Sequence, residues 1–197
     1  MGSAIEPLNQ IKRQVREQWK ASYPKDPGFR ATASREICHF LLQQHEFKRA
    51  PRIAIFAGRE TEIDLLSLFS LANRPFALPI TFPQTKTLKF IDIGSPLELK
   101  IGNFGILEPV DSHKEDLWTS HDLILVPGVG FDLFGNRIGH GAGYYDRFFS
   151  KNPLPIRWGI GFHQQISNQE LAHTHHDVRM GAIVTERGFF PAKKVEK

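Results

Sequence analysis

Glycines dominate one short stretch of the sequence, residues 127–147, which contains six of them. Glycine costs conformational entropy and supplies no packing, so such a cluster needs a reason in the backbone. Gly139, Gly141 and Gly143 leave their amides unobstructed just ahead of a predicted helix, whose N-terminus carries about half a positive charge and favours phosphate oxygens. A long loop that needs several positive φ angles explains the glycines equally well, so by themselves they do not distinguish the two.

Charged residues in the same stretch favour phosphate binding. Asp146 follows the glycines and suits Mg²⁺, which takes a few carboxylate oxygens together with phosphate and water. Arg137 suits pairing with a phosphate. Asp132 is a second carboxylate, but an aspartate in this setting is just as often a turn residue whose side chain bonds the nearby backbone. We therefore predict Asp146, ahead of Asp132, as a metal ligand.

The stretch lacks both common nucleotide-binding motifs. No Gly-Lys-Ser/Thr follows the glycines, as a P-loop requires, and the dinucleotide fingerprint is absent. Its series of Pro-Gly, Phe-Asp, Gly-x-Arg and Gly-x-Gly-x-Gly-Tyr-Tyr-Asp closely resembles the signature of the 5-formyltetrahydrofolate cyclo-ligase family. Further points of resemblance follow the family's order over nearly the whole chain: Lys12, Arg16, Ser34, residues 62–64 and 108–109, Gln165, Asp177 and residues 185–186.

The resemblance implies an ATP- and Mg²⁺-dependent ligase that converts 5-formyltetrahydrofolate, with or without a polyglutamate tail, into 5,10-methenyltetrahydrofolate, ADP and phosphate. The formyl oxygen would attack the γ-phosphate, and N10 would then close the ring. Catalysis would consist of alignment and charge neutralisation, without a histidine general base. Arg137 and Tyr145 are the implied catalytic residues.

The resemblance also assigns binding residues. ATP would contact Lys12, Arg16, Arg137, Ile138, Gly139, His140, Gly141, Ala142, Gly143, Tyr144 and Tyr145. The folate would contact Ala57, Glu62 and Phe104, and Mg²⁺ would be held by Asp146 and Asp177.

Physical chemistry is compatible with several of these assignments. The four-residue spacing of Lys12 and Arg16 puts both on one face of the first helix. The Glu62 carboxylate can accept paired hydrogen bonds from the pterin's amino-pyrimidinone edge, although it equally suits a helix N-terminus. Phe104 would stack beside the folate, whereas a lone Phe more often packs in a core.

The sequence departs from the family pattern at two positions. Many relatives carry lysine where this chain has Ala142, so Lys12, Arg16 and Arg137 are expected to neutralise more of the phosphate charge. Gly181 stands where relatives often have an acidic residue, which puts a second carboxylate contact in doubt. A histidine cluster at residues 173–176 lacks cysteines and is typical of a polar surface loop, so we expect no zinc.

Elements that would position these residues are visible in the apolar pattern. It predicts helices at residues 7–22, 32–47, 62–73 and 144–150. It predicts strands at residues 52–57, 76–80, 90–93, 123–126, 157–161 and 182–185. Alternating strands and helices indicate a three-layer α/β fold, a mostly parallel sheet flanked by helices. The expected fold is Rossmann-like, similar to sugar-phosphate isomerases and CoA-transferases, with ligands beyond the carboxyl ends of the strands.

Composition sets further expectations for the whole chain. The 197 residues suit a single domain, and we expect a monomer. The lone Cys38, with apolar Ile37 and Phe40 nearby, and the absence of a long apolar run favour a cytoplasmic protein outside any membrane. A net charge of +4 comes from scattered basic residues, which disfavours nucleic-acid binding. An isomerase or CoA-transferase-like enzyme and a non-catalytic basic protein that binds RNA remain as alternative hypotheses.

Overall fold

The computed structural model describes residues 5–111 and 118–193. Its helices are α1 (Ile5–Ala21), α2 (Pro27–Gln43), α3 (His45–Arg49), α4 (Leu68–Ala72) and α5 (Tyr144–Lys151). The first six strands are β1 (Ile53–Ala54), β2 (Phe76–Phe82), β3 (Thr87–Ile93), β4 (Leu99–Ile101), β5 (Leu107–Pro109) and β6 (Leu123–Pro127). The later strands are β7 (Gly130–Asp132), β8 (Arg137–Ile138), β9 (Ile156–Ile160), β10 (Ile166–Ser167), β11 (Ala182–Thr185) and β12 (Gly188–Pro191).

A seven-stranded sheet forms the centre of the molecule, in the order β12-β11-β9-β6-β1-β2-β3. The five inner strands are parallel, and β3 and β12 pair antiparallel at the two edges. Parallel strands are normally covered on both faces. The predicted mostly parallel α/β fold is therefore confirmed.

Alternation along the inner strands sends side chains to opposite faces. Ile53, Leu123 and Leu125 pack into one core cluster with α2, α3 and α4. Ala54 and Ile124 pack into a second cluster, which contains the phenylalanines of α5. The sheet and the helices on its two faces thus form the three expected layers.

A smaller sheet, in the order β10-β7-β8, contains the middle part of the glycine-rich stretch. Gly135 lies in the turn between β7 and β8 with φ +86°. A β-carbon there would stand 2.3 Å from the Met180 carbonyl oxygen, so glycine is required. This sheet supports α1, because Val15 and Trp19 pack on its buried Val129 and Ile138.

Two predicted helices differ from those observed. The segment predicted as 32–47 begins earlier, at Pro27, because the Asp26 side chain accepts hydrogen bonds from the Gly28 and Phe29 amides and caps the helix. It also divides at Gln44 into α2 and α3. Proline at the first helical position also favours a helix start, so the predicted start at residue 32 was wrong.

The predicted helix at 62–73 is helical only over Leu68–Ala72. Before it, the Asp64 carboxylate accepts a hydrogen bond from the Leu66 amide, and Ser34 Oγ accepts one from the Asp64 amide. These side-chain contacts compete with a helix. The apolar run is buried without helical periodicity, since Ile63 and Leu65 enter the core.

Most strand predictions are confirmed within a few residues, and β11 has the predicted bounds. The strand predicted at 52–57 is assigned only over Ile53–Ala54. Short strands β4, β5, β7, β8, β10 and β12 were missed, because two to four residues carry too little periodicity. No helix among residues 5–111 and 118–193 is long and apolar enough to span a bilayer.

Candidate active site

A cavity of about 570 Å³ lies beyond the carboxyl ends of the central strands. Phe56 and Ala57, just after β1, and Pro127, the last residue of β6, form part of its wall. Helix α1, strand β2, the turn before α5 and residues from segments 104–108 and 174–177 supply further parts of the lining. This is the expected position for a ligand site on a parallel sheet.

All residues with a predicted site role line this one cavity. They are Lys12, Arg16, Ala57, Glu62, Phe104, residues 137–145, Asp146 and Asp177. The predicted ATP, folate and metal residues are therefore brought together from distant parts of the chain.

Other lining residues had no predicted role. They include Lys20, Arg59, Thr81, Glu108, Thr174 and His176. Lys20 continues the four-residue spacing of Lys12 and Arg16, and that spacing is the signal that could have found it. The remaining residues carry no comparable pattern in the sequence.

Helix α1 contributes three cations to the cavity, Lys12, Arg16 and Lys20, and the first two have partners there. Lys12 Nζ lies 2.5 Å from Asp177 Oδ2, and the Arg16 Nε donates to the Gly139 carbonyl at 2.8 Å. Burial tends to raise the pKa of Asp177, but hydrogen bonds from Lys12 and Thr174 outweigh this and lower it. The carboxylate is thus held in its ionised form.

Close packing fixes the position of α1. Gly130 in β7 faces Trp19, whose ring atoms lie 1.1 and 1.4 Å from the place where a β-carbon would stand. No other residue fits there without moving the ring or the helix. Gly130 therefore lets Lys12 and Arg16 approach the glycine-rich turn.

The glycines of the turn before α5 suit both interpretations, a loop with positive φ angles and a turn that binds phosphate. Gly141 and Gly143 have φ of +104° and +68°, which side chains rarely adopt, so the loop interpretation is confirmed for these two. Gly143 also occupies the N-cap of α5, and residues 139–143 line the cavity. The turn therefore presents backbone to the cavity at the start of a helix, the arrangement that suits an anion.

Arg137 and Asp146 form an ion pair at the edge of the cavity. The Arg137 Nη2 lies 3.1 and 3.0 Å from the two Asp146 oxygens, and Nη1 donates to the Pro127 carbonyl at 3.2 Å. The Arg137 side chain is 6% exposed and that of Asp146 23%. The ion pair thus holds the guanidinium and the carboxylate at the edge of the cavity.

The carboxylates at the cavity are the candidate metal ligands. Within the described residues, no group of three or more His, Cys, Asp or Glu side chains converges to hold an ion. Asp146 and Asp177 line the cavity without forming such a cage. This donor set fits Mg²⁺ that takes its remaining ligands from phosphate and water.

Asp132 has a structural role, because its carboxylate holds nearby backbone amides. Its buried carboxylate accepts hydrogen bonds from the Phe134, Asn136 and Leu171 amides at 2.7–2.9 Å. Asn136 Nδ2 donates to it as well. The turn interpretation of Asp132 is confirmed, and its oxygens are committed to backbone and amide donors.

Tyr145 brings a buried hydroxyl to the cavity. Burial raises its pKa, so the phenol stays protonated. The hydroxyl has no hydrogen-bond partner among the described residues. A buried polar group left unpaired costs about 1–3 kcal/mol, so Tyr145 is suited to a polar ligand atom.

Glu62 is held by two hydrogen bonds. Its Oε1 lies 2.7 Å from His140 Nε2, and its Oε2 accepts from the Arg59 amide at 2.9 Å. Burial tends to raise the pKa of Glu62, but these hydrogen bonds and the nearby positive charges lower it overall. The carboxylate therefore faces the cavity as an acceptor.

Phe104 lies at the mouth of the cavity. It is 59% exposed, so the interpretation as a core residue was wrong. Its φ is +60°, and its ring lies edge-on to Tyr144 at 6.3 Å. The Glu108 carboxylate holds this turn, because it accepts from the Asn103 amide and from Thr81 Oγ1.

The two departures from the family pattern lie in different places. Ala142 lines the cavity, and its carbonyl accepts a hydrogen bond from Arg147. Gly181 is not among the cavity-lining residues; its amide donates to the Arg157 carbonyl at 2.7 Å beside β9. Only the Ala142 departure therefore falls within the candidate site.

The fold and the position of the cavity define the class of α/β proteins whose sites lie beyond the carboxyl ends of parallel strands. A model of the 5-formyltetrahydrofolate cyclo-ligase family matches residues 6–186. The chain belongs to this family. It is accordingly an enzyme, a ligase of folate one-carbon metabolism.

Individual relatives agree with this assignment. The 5-formyltetrahydrofolate cyclo-ligase of Haemophilus influenzae is 30% identical over 162 residues, 77% of this chain and 84% of the relative. A probable 5-formyltetrahydrofolate cyclo-ligase of Schizosaccharomyces pombe is 36% identical over 167 residues, 76% of this chain and 81% of the relative. The NMR structure of Aquifex aeolicus 5,10-methenyltetrahydrofolate synthetase matches with a TM-score of 0.78 and 28% identity, over 95% of each chain.

Proposed function

We propose that this enzyme uses Mg-ATP to cyclise 5-formyltetrahydrofolate, with or without a polyglutamate tail, to 5,10-methenyltetrahydrofolate, releasing ADP and phosphate. The main support is that the predicted phosphate-binding and folate-binding residues line one cavity of about 570 Å³. Two ligands that react directly must share a site. We expect the enzyme to be active as a monomer.

Phosphate binding in this proposal uses the wall made by α1 and the glycine-rich turn. Lys12, Arg16 and Arg137 supply positive charge, and the amides at the three glycines of the turn, which carry no side chain, supply donors. Phosphoryl transfer depends mainly on such positioning and charge neutralisation. Because Ala142 brings no charge, these three cations carry that role.

Asp146 and Asp177 would hold Mg²⁺ together with the phosphates. When bound, the ion neutralises charge on the phosphate oxygens. The ion pair with Arg137 aligns Asp146, and Lys12 holds Asp177 in place and helps keep it ionised. Each carboxylate retains acceptor sites beyond those ion pairs.

Folate binding uses the opposite wall. Glu62 accepts the pterin N–H groups, Phe104 stacks on a ring, and Ala57 leaves room beside them. The Tyr145 hydroxyl, which is unpaired among the described residues, donates to the formyl oxygen or to the phosphoryl group as it is transferred.

The chemistry proceeds in two displacements. The formyl oxygen bonds to the γ-phosphorus as the bond to ADP breaks. N10 then bonds to the formyl carbon and loses its proton, and that oxygen leaves with inorganic phosphate. The protein's contribution is to align the reactants and exclude water.

Incubation of the purified protein with Mg-ATP and 5-formyltetrahydrofolate tests the proposal. We expect the near-ultraviolet absorbance of the methenyl product to appear with one ADP formed per turnover. Reactions without ATP, or with Mg²⁺ chelated by EDTA, should remain at background. Absence of product in the complete reaction would contradict the proposal and favour an ATP-independent enzyme of similar fold.

A further inference from the structure

His140 connects the two walls of the cavity. It lies between Gly139 and Gly141 in the glycine-rich turn, yet its imidazole Nε2 lies 2.7 Å from Oε1 of Glu62, which belongs to the proposed folate wall. The His140 side chain is 30% exposed and that of Glu62 11%. The imidazole therefore contacts a residue with a proposed role in folate binding, whereas the family resemblance implied that His140 contacts ATP.

The contact determines how Glu62 is presented to a ligand. An ionised carboxylate only accepts hydrogen bonds, so His140 Nε2 carries the donated proton. His140 occupies one acceptor site on Oε1, and the Arg59 amide occupies one on Oε2. Each oxygen keeps a further lone pair. Two such sites on adjacent oxygens match a ligand edge with two parallel N–H donors.

The turn that carries His140 is itself held in place. Arg16 Nε donates to the Gly139 carbonyl at 2.8 Å, on the residue before His140. The backbone of the turn faces the proposed phosphate position, while the His140 side chain reaches Glu62. His140 thus belongs to the turn of the proposed phosphate wall, while its side chain contacts the proposed folate wall.

We propose that His140 is a positioning residue for the folate, which orients the Glu62 carboxylate so that it receives the paired N–H edge of the pterin. This inference rests on the proposed function. The His140 side chain then contributes to folate affinity and not to ATP affinity. Removing the imidazole leaves its backbone amide available to phosphate.

The test compares His140→Ala with His140→Gln, whose side-chain amide offers an N–H donor at about the reach of Nε2. A hydrogen bond to a charged group implies that H140A raises the KM for 5-formyltetrahydrofolate about tenfold. The KM for ATP should change less than about threefold, and H140Q should restore most of the folate KM. His39→Ala, at an exposed position of α2, is the matched control and should behave like the wild type.

Binding of 5-formyltetrahydrofolate in the absence of ATP, measured by calorimetry, distinguishes failure of the proposed function from failure of the His140 role alone. Wild-type protein that neither binds nor converts the folate would end the proposed function and this inference with it. An active wild type with an unchanged folate KM in H140A would overturn only the role of His140. A folate KM in H140Q as high as in H140A would do the same, because the donor would then not be what matters.

Discussion

At the scale of single residues, ion pairs in the cavity change how the predicted metal ligands should be tested. The Asp146 carboxylate contacts Arg137, whose side chain is 6% exposed. Removing one member of a buried pair leaves the other charge uncompensated, at a cost of about 3–5 kcal/mol. An alanine at position 146 would therefore confuse metal binding with folding.

Asp146→Asn is the cleaner variant. It keeps an oxygen acceptor for Arg137 but loses the negative charge that Mg²⁺ requires. We expect kcat at saturating Mg²⁺ to fall about a hundredfold or more, since charge neutralisation by a metal is worth several kcal/mol. The melting temperature should fall less than in Asp146→Ala. The measurement is kcat as a function of Mg²⁺ concentration, together with thermal unfolding.

Glu36→Gln, an exposed carboxylate on α2, is the control for the loss of one negative charge and should leave the magnesium dependence unchanged. Magnesium-dependent turnover retained in D146N would remove Asp146 from the metal role.

At the scale of elements, the position of α1 controls the phosphate wall. The helix carries Lys12 and Arg16 on one face, and its Trp19 packs directly on Gly130 of β7. Adding volume to a packed contact forces displacement of the surrounding groups. The β10-β7-β8 sheet therefore controls where the Lys12 and Arg16 charges lie in the cavity, although Trp19 itself is not a lining residue.

Gly130→Ala tests this link. The added methyl group overlaps the Trp19 ring, so the ring or α1 must move. We expect the helix to shift, with a loss of about 1–3 kcal/mol of stability. Because Lys12 and Arg16 move with the helix, the KM for ATP should rise about tenfold while the folate KM changes less. Thermal unfolding and the two KM values measure these effects.

Gly181→Ala is the matched control, since a β-carbon there meets its nearest described atom at 3.5 Å, an ordinary contact. Equal ATP KM values in the wild type and G130A would show that α1 docking does not control the phosphate wall.

At the scale of the whole molecule, the cavity joins elements whose cores lie on opposite faces of the sheet. Ile63, next to Glu62, packs in the cluster with α2, α3 and α4, whereas Tyr145 packs against the cluster that contains α5. The central strands connect the two clusters. We therefore propose that residues 1–197 form one cooperative domain.

Cys38 reports on this cooperativity. It is fully buried, and burial raises the pKa of its thiol to about 11, so it stays protonated and inaccessible in the native protein at pH 8. We expect negligible reaction with a thiol reagent until urea unfolds the chain. The urea midpoint for thiol reactivity should coincide with the midpoint for tryptophan fluorescence, as in a two-state transition.

Fully unfolded protein should react with one equivalent of reagent per chain, because Cys38 is the one cysteine of the sequence. A thiol midpoint well below the fluorescence midpoint would divide the chain into separately unfolding units.

Patterns among residues close together in sequence determined several elements of the fold and the family. The buried run at 182–185 predicts β11 with its observed bounds, because period and length are properties of adjacent residues. The glycine-rich stretch and its tyrosines and aspartate identify the family, since they lie close together in sequence. The spacing of Lys12 and Arg16 also predicts their shared helix face correctly.

Tertiary structure decided what depends on contacts between distant residues. Side-chain hydrogen bonds from another helix prevent a helix at Asp64, and a turn held by Glu108 exposes Phe104. The Glu62–His140 contact spans 78 residues, and no local pattern encodes it. The sequence by itself therefore determined the family and part of the cavity lining, whereas folding brought in the remaining lining residues and decided which partner each side chain has.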